Sequence, residues 1–173
     1  SKPLERYYKN PTNEPTIVMG YTEQQLILAE AVVRGWITGN DKELYESAVR
    51  ASFQFYHDNV PELVQYLDEQ ASSTYLQGEK VRYDSSYSNE RKLELIAIQK
   101  YLPTFLQGNT WLPYYEQLRT GYPEFKRAEG VNLPYRWMYP QDEYNNNAEN
   151  VQEALDRQFG GSDKTSDMPW WIK

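Results

Sequence analysis

The stretch YTEQQLILAEAVVRGWITGNDKELYESAVRASFQF, residues 21–55, decides the fold. Thr22 and Gln25 stand at capping-box spacing, and Tyr21 with Leu26 at hydrophobic-staple spacing, so a helix is predicted to open at Thr22. Leu26, Ala29, Val33 and Trp36 mark one apolar stripe, while Leu28, Ala31 and Val32 mark a second. A helix apolar on more than one side belongs between neighbours. Glu30 and Arg34 can pair at i,i+4 on the remaining polar edge, and Gly39 fits a C-terminal stop. Asn40 and Glu43 repeat the capping-box spacing, and Leu44, Ala48, Ala51 and Phe55 run along one face of a second helix. So short a connection makes the two helices antiparallel neighbours. Small Ala29, Ala31, Ala48 and Ala51 stand where they must approach closely.

Such a pair resembles a tetratricopeptide-type hairpin. Asn59 and Glu62 open a third predicted helix with Pro61 in its first turn and Leu63, Leu67, Ala71 and Tyr75 as its stripe. Residues 77–88 read as a loop holding Tyr83, Asp84 and Tyr87. A fourth helix is expected from about Asn89 to Gln107, kinked at Pro103. Gly108-Asn109 forms the break, with Asn109 capping a short fifth helix through Trp111, Tyr115 and Leu118. From Ala128 to Asn147 the chain reads as irregular, with a short strand near Arg136 to Tyr139. A last helix, capped from Asn145-Asn146-Asn147, carries Val151, Ala154 and Leu155 and stops at Gly160-Gly161. Trp170 and Trp171 should pin the tail. The first sixteen residues, with Pro3, Pro11 and Pro15, form an extended lead-in. The fold class is therefore all-α: helical hairpins with long ordered loops. Residues 1–173 make a single region, divided into 1–16, 17–127 and a loop-rich 128–173.

Composition narrows the function. The 173 residues carry 18 Lys+Arg against 25 Asp+Glu, a net charge of −7. An anionic chain repels phosphate backbones, so nucleic acid is not an expected partner. No cysteine excludes disulfides, thiolate metal sites and a Cys nucleophile, and one histidine, His57, excludes a His-rich metal site. No apolar run approaches the ~20 residues of a membrane span, and Ser1-Lys2-Pro3 does not open a signal peptide. Tyr dominates the aromatics, with 16 Tyr, 5 Trp and 5 Phe. Such rings suit surfaces that both stack on a ligand and hydrogen-bond to it.

Four stretches together are similar to the C-terminal part of SusD/RagB-family proteins. They are Met19-Gly20-Tyr21-Thr22-Glu23 leading into Leu28-Ala29-Glu30-Ala31 and Arg34-Gly35-Trp36; Gln99-Lys100-Tyr101 with Phe105 to Gly108, Trp111 and Arg119-Thr120-Gly121-Tyr122-Pro123; Arg136, Tyr139-Pro140, Glu143, Asn146-Asn147 and Asn150; and Gly160-Gly161-Ser162-Asp163 with Trp170-Trp171. The resemblance covers about residues 17–173. It departs at Tyr101, where the family often has Trp, at Leu118, where a first arginine is common, and at Pro103. It implies a surface-facing outer-membrane lipoprotein that captures glycan or another nutrient for a SusC-like TonB-dependent transporter. It also implies a longer parent whose N-terminal part holds the lipid-anchored Cys, so that this chain is a soluble C-terminal portion touching the membrane only through that anchor. The alternative is a helical-hairpin scaffold that binds only protein.

No catalytic constellation is legible: no Gly-x-Ser-x-Gly turn, no phosphate-cradling loop. Glu149 and Glu153 lie at i,i+4 as a solvated edge, and His57 reads as a structural or surface residue. Asp142, Glu143 and Asn145 to Asn147 offer hard oxygens but lack the Asp-x-Asp calcium pattern, and read as capping plus a turn. The expectation is no enzyme, no metal and no cofactor. Sugar rings present CH faces to aromatic planes and hydroxyls to polar groups. Tyr83, Asp84 and Tyr87 in their loop, and Trp111 with Tyr114, are the candidate ligand contacts. Arg119 and Arg136 are expected to tie loops to helix ends.

Overall fold

Helix α1 runs over Tyr21–Val33 and ends a turn before Gly39, because Gly35 stops it first. Gly35 takes the left-handed conformation, φ 73°. Trp36 N donates to Ala31 O and Gly35 N to Val32 O, both at 2.9 Å, the two bonds of a Schellman cap. This turn swings Trp36 out of the hairpin. Its ring is 69% exposed and lies 5.4 Å from the Arg34 guanidinium, so the expected helix-hairpin contact is corrected. Trp36→Ala should cost at most about 1 kcal/mol in a urea titration, the scale of one exposed cation–π contact. The capping box at Thr22 does not form either. Gly20 is the N-cap, two residues earlier, with no side-chain cap bond.

The computed structural model describes residues 2–10, 12–15, 17–105, 107 and 111–172. Helix α2, Asp41–Asn59, starts as the spacing predicts: Asn40 Oδ1 accepts from Glu43 N at 3.1 Å. Asn59 closes α2 and does not open the next helix. Its side chain donates to Phe55 O at 2.8 Å, and Arg6 Nη2 donates to its carbonyl at 2.6 Å. Residues Pro61–Tyr66 form a 3-10 turn, after which Asp68 caps α3, Glu69–Gln77, by accepting from Ala71 N at 2.7 Å. Ser88 caps α4, Asn89–Tyr101, which tightens at Pro103 into a 3-10 turn over Leu102–Thr104. Helix α5 is Leu112–Thr120; Gly108 and Asn109, the predicted break and cap, lie outside the described residues.

Helix α6, Gln141–Phe159, begins directly after Pro140, well before the asparagine run. Asp142, Glu143 and Asn145 therefore sit on its first turns, and Asn146 Nδ2 donates to Asp142 O at 2.9 Å. The backbone leaves helical geometry at Asn147, φ −147° and ψ 33°, where the helix kinks. Gly160, left-handed at φ 65°, ends it as predicted. No strand occurs among the described residues. Near Arg136 to Tyr139 the backbone donors go elsewhere: Tyr135 N to Thr165 O at 2.8 Å and Tyr139 N to Asp163 Oδ2 at 3.1 Å. A strand needs a partner edge, and these donors bond to a loop.

The all-α class holds, and the chain divides into two compact units, Ser1–Gln117 and Leu118–Lys173. In the first, α1 packs antiparallel on α2 and also on α4, and α2 packs on α3. Leu26, Ala29, Tyr45, Ala48 and Leu95 are wholly buried at its centre, with Val49, Tyr83 and Ile96 around them. Ala29 and Ala48 are the small residues that let the hairpin close. In the second unit Val151 and Leu155 form the buried stripe of α6.

Candidate functional site

The loop between α3 and α4 was expected to hold out two rings, and it holds one of them in. Tyr83 is 2% exposed. Its ring stacks on Tyr45 with centroids 4.8 Å apart, and its hydroxyl donates to Asp41 Oδ2 at 2.8 Å. Lys92 Nζ lies 2.8 Å from the same oxygen and 5.8 Å from the Tyr83 ring centre. Loss of solvent would raise the Asp41 carboxyl, but the Lys92 ammonium and the Tyr83 hydroxyl outweigh it and hold Asp41 below its ordinary value. Burial and the Asp41 carboxylate push the Tyr83 phenol up. Tyr83 is thus a core fastener, and its assignment as a loop-borne ligand contact is corrected. No signal within the loop marked the ring as inward, because its partners Tyr45 and Asp41 lie on α2.

The neighbouring candidates shape the same loop. Asp84 Oδ1 accepts from Ser86 N at 2.9 Å and from Ser86 Oγ at 2.7 Å, an Asx turn. Those bonds from Ser86 keep the Asp84 carboxyl low. Tyr87 N donates to Asp84 O at 3.1 Å, and the Tyr87 ring is half-buried against the core.

The other pair lies at the start of α5. Trp111 is 57% exposed and Tyr115 is exposed, while Tyr114 is buried beneath them. Tyr114 meets Trp111 edge-on, centroids 6.1 Å apart, and Tyr115 at 5.1 Å. Burial pushes the Tyr114 phenol up. Two exposed rings, Trp111 and Tyr115, thus flank a buried one at the start of this helix. Exposed aromatic rings can stack on an apolar ligand face.

The residues of the four quoted stretches mostly do something else. Glu30 Oε1 accepts from Arg34 Nε at 2.8 Å, and Glu30 Oε2 accepts from Lys100 Nζ at 2.7 Å. Lys100 also reaches Glu116 Oε2 at 3.3 Å. The Lys100 and Glu30 side chains are both 8% exposed, so α1, α4 and α5 share a buried charge cluster. In the second unit, Asp163 accepts from Arg136, from the Tyr144 hydroxyl and from Tyr139 N. The Arg136 guanidinium also lies 4.5 Å from the Phe159 ring centre, at the end of α6. Arg136 ties a loop to a helix end, as expected. Thr120 Oγ1 donates to Tyr122 O and accepts from Tyr122 N, each at 3.0 Å, folding the Thr-Gly-Tyr-Pro turn.

A family profile described as starch-binding, associating with the outer membrane, matches residues 3–140. The chain belongs to this SusD-like family. A SusD homologue from Bacteroides fragilis is 50% identical, with TM-score 0.91, over 98% of this chain and 38% of that one. An outer-membrane protein from Bacteroides vulgatus, whose description links it to nutrient binding, is 66% identical with TM-score 0.94, over 99% and 38%. A chitin-binding protein is 27% identical with TM-score 0.70, over 89% and 33%. A search of curated proteins returned no match. This SusD-like chain spans well under half the length of these solved relatives. Its family is associated with the outer membrane, and no described helix is long and apolar enough to cross one.

Proposed function

We propose that this SusD-like chain contributes a glycan-contacting face to a non-catalytic nutrient-binding protein that delivers its ligand to a SusC-like TonB-dependent transporter. The observation that carries the reading is the exposed Trp111 and Tyr115 faces braced by Tyr114. Family membership supplies the ligand class, since the family is described as starch-binding, and a 27%-identical neighbour is described as chitin-binding. Tyr83 has no free ring face to offer, and Tyr87 with Asp84 would serve only at a margin. The glutamates Glu149 and Glu153 lie exposed on α6, and Glu153 pairs with Arg157 across 3.7 Å, the solvated edge the spacing suggested.

Stacking a sugar on Trp111 would cover about 60 Å² of ring, worth ~1.5 kcal/mol or about tenfold in affinity. Calorimetry with maltoheptaose and chitohexaose on the full-length protein tests this. Trp111→Ala should weaken binding of the preferred oligosaccharide about tenfold with an unchanged melting temperature. Equal affinity in the variant would remove this face from the site. Release of reducing ends by the purified protein would overturn the non-catalytic reading.

A further inference from the structure

Between the N-terminal turn of α1, the middle of α2 and the segment after α4 lies a cavity of about 150 Å³. Leu26, Phe55, Pro103 and Leu112 make its wall mostly carbon. An apolar cavity of about this volume accommodates a benzene ring. Its polar lining is largely committed. The Tyr56 hydroxyl donates to Pro103 O at 3.4 Å, Thr104 Oγ1 to Tyr101 O at 2.6 Å, and Lys100 is held by Glu30 and Glu116.

Gln107 is the exception. It lines the cavity and is only 7% exposed. Its Nε2 donates to Glu14 Oε2 at 3.2 Å. A carboxylate only accepts, so this bond fixes which end of the amide is which. The other end, Oε1, is buried and has no hydrogen-bond partner among the described residues. A buried acceptor left unpaired is costly, and a donor that reached it would recover that cost.

We propose that this cavity binds an aromatic ring bearing one hydrogen-bond donor, a phenol-type group whose hydroxyl donates to Gln107 Oε1. The carbon wall takes the ring, and the amide oxygen takes the single donor. A sugar is the wrong occupant, because its several hydroxyls would meet a wall with few open partners, each unpaired one at a desolvation cost. The cavity is therefore a second site, independent of the Trp111 face.

The test is calorimetry on the 173-residue chain with p-cresol and toluene, which differ by the one hydroxyl. p-Cresol should bind at least tenfold more tightly than toluene. Gln107→Leu should abolish that difference by weakening p-cresol about tenfold and leaving toluene as tight or tighter. N-acetyl-tyrosinamide separates the sources: affinity like that of p-cresol supports a peptide side chain as the natural occupant, and tenfold weaker binding supports a free phenol. Should Gln107→Leu fail to fold, Ala51→Leu fills the cavity from α2 and should abolish p-cresol binding while helical circular dichroism is retained. Trp111→Ala should leave p-cresol affinity unchanged, so failure of oligosaccharide binding would not touch this site. Equal affinity for toluene and p-cresol, or no saturable p-cresol binding, would overturn the proposal.

Discussion

Tyr83→Ala should cost about 3–5 kcal/mol, enough to remove much of the stability of a domain this size. The ring is 2% exposed and stacked on Tyr45, so truncation leaves a cavity beneath the loop and also strips the Asp41–Lys92 pair of a hydroxyl donor. Urea unfolding followed by circular dichroism measures it. A loss under 1 kcal/mol would show that the ring is not a core element. Tyr83→Phe separates the two contributions, keeping the ring and deleting only the bond to Asp41, at about 1–2 kcal/mol near pH 6. The sign with pH follows from Asp41. Its folded carboxyl lies below the ordinary 3.8, so its contribution is complete above about pH 4 and is lost as pH falls through the folded value. The gap between wild type and Tyr83→Phe should therefore narrow below pH 4. A gap that widens in acid would contradict the assignment of Asp41 as the ionised acceptor.

The second large effect is expected at Lys100. Lys100→Met keeps the stem and removes the ammonium that lies between Glu30 and Glu116. Breaking one member of a buried ionic cluster leaves uncompensated charge and costs about 3–5 kcal/mol, more than an exposed pair by several-fold. Adding Glu30→Gln to Lys100→Met should restore at least about 1 kcal/mol, because one of the two buried carboxylates that lost the ammonium goes with it. A strictly additive double variant would mean that the two side chains do not interact, and thermal melts of the four proteins decide it.

Both predictions sit on residues that the sequence made visible for other reasons. Glu30, Arg34 and Lys100 carried the family resemblance, and in the fold they are fasteners between α1, α4 and α5. Arg136 and Asp163 do the same in the second unit. Motif residues of this kind identify the family because the fold needs them, which is why they say little about the ligand. Tyr83 shows the opposite failure. Residues 78–88 do form the loop that the sequence suggests, but a loop residue can still turn its ring inward. Local sequence carries no term for the Tyr45 face and the Asp41 carboxylate waiting on α2.

What the sequence by itself determined is the helical class, the hairpin at residues 21–55, the caps at Asn40 and Gly160, and the family. Each of these rests on interactions within a turn or two of chain: an Asn side chain on a helix N–H three residues later, a glycine free to take positive φ, an apolar period of 3.6. Only the tertiary structure decided which aromatics are buried. Trp36 and Tyr83 exchanged the roles their neighbours suggested: the Gly35 cap turned one ring out, and α2 supplied a partner for the other. It also decided that Gln107 Oε1 is left without a hydrogen-bond partner among the described residues, while Glu14, 93 residues away in sequence, holds the other end of the amide. Burial and pairing across such separations depend on where the helices meet, and that is set by the packing of whole faces, not by any short stretch of chain.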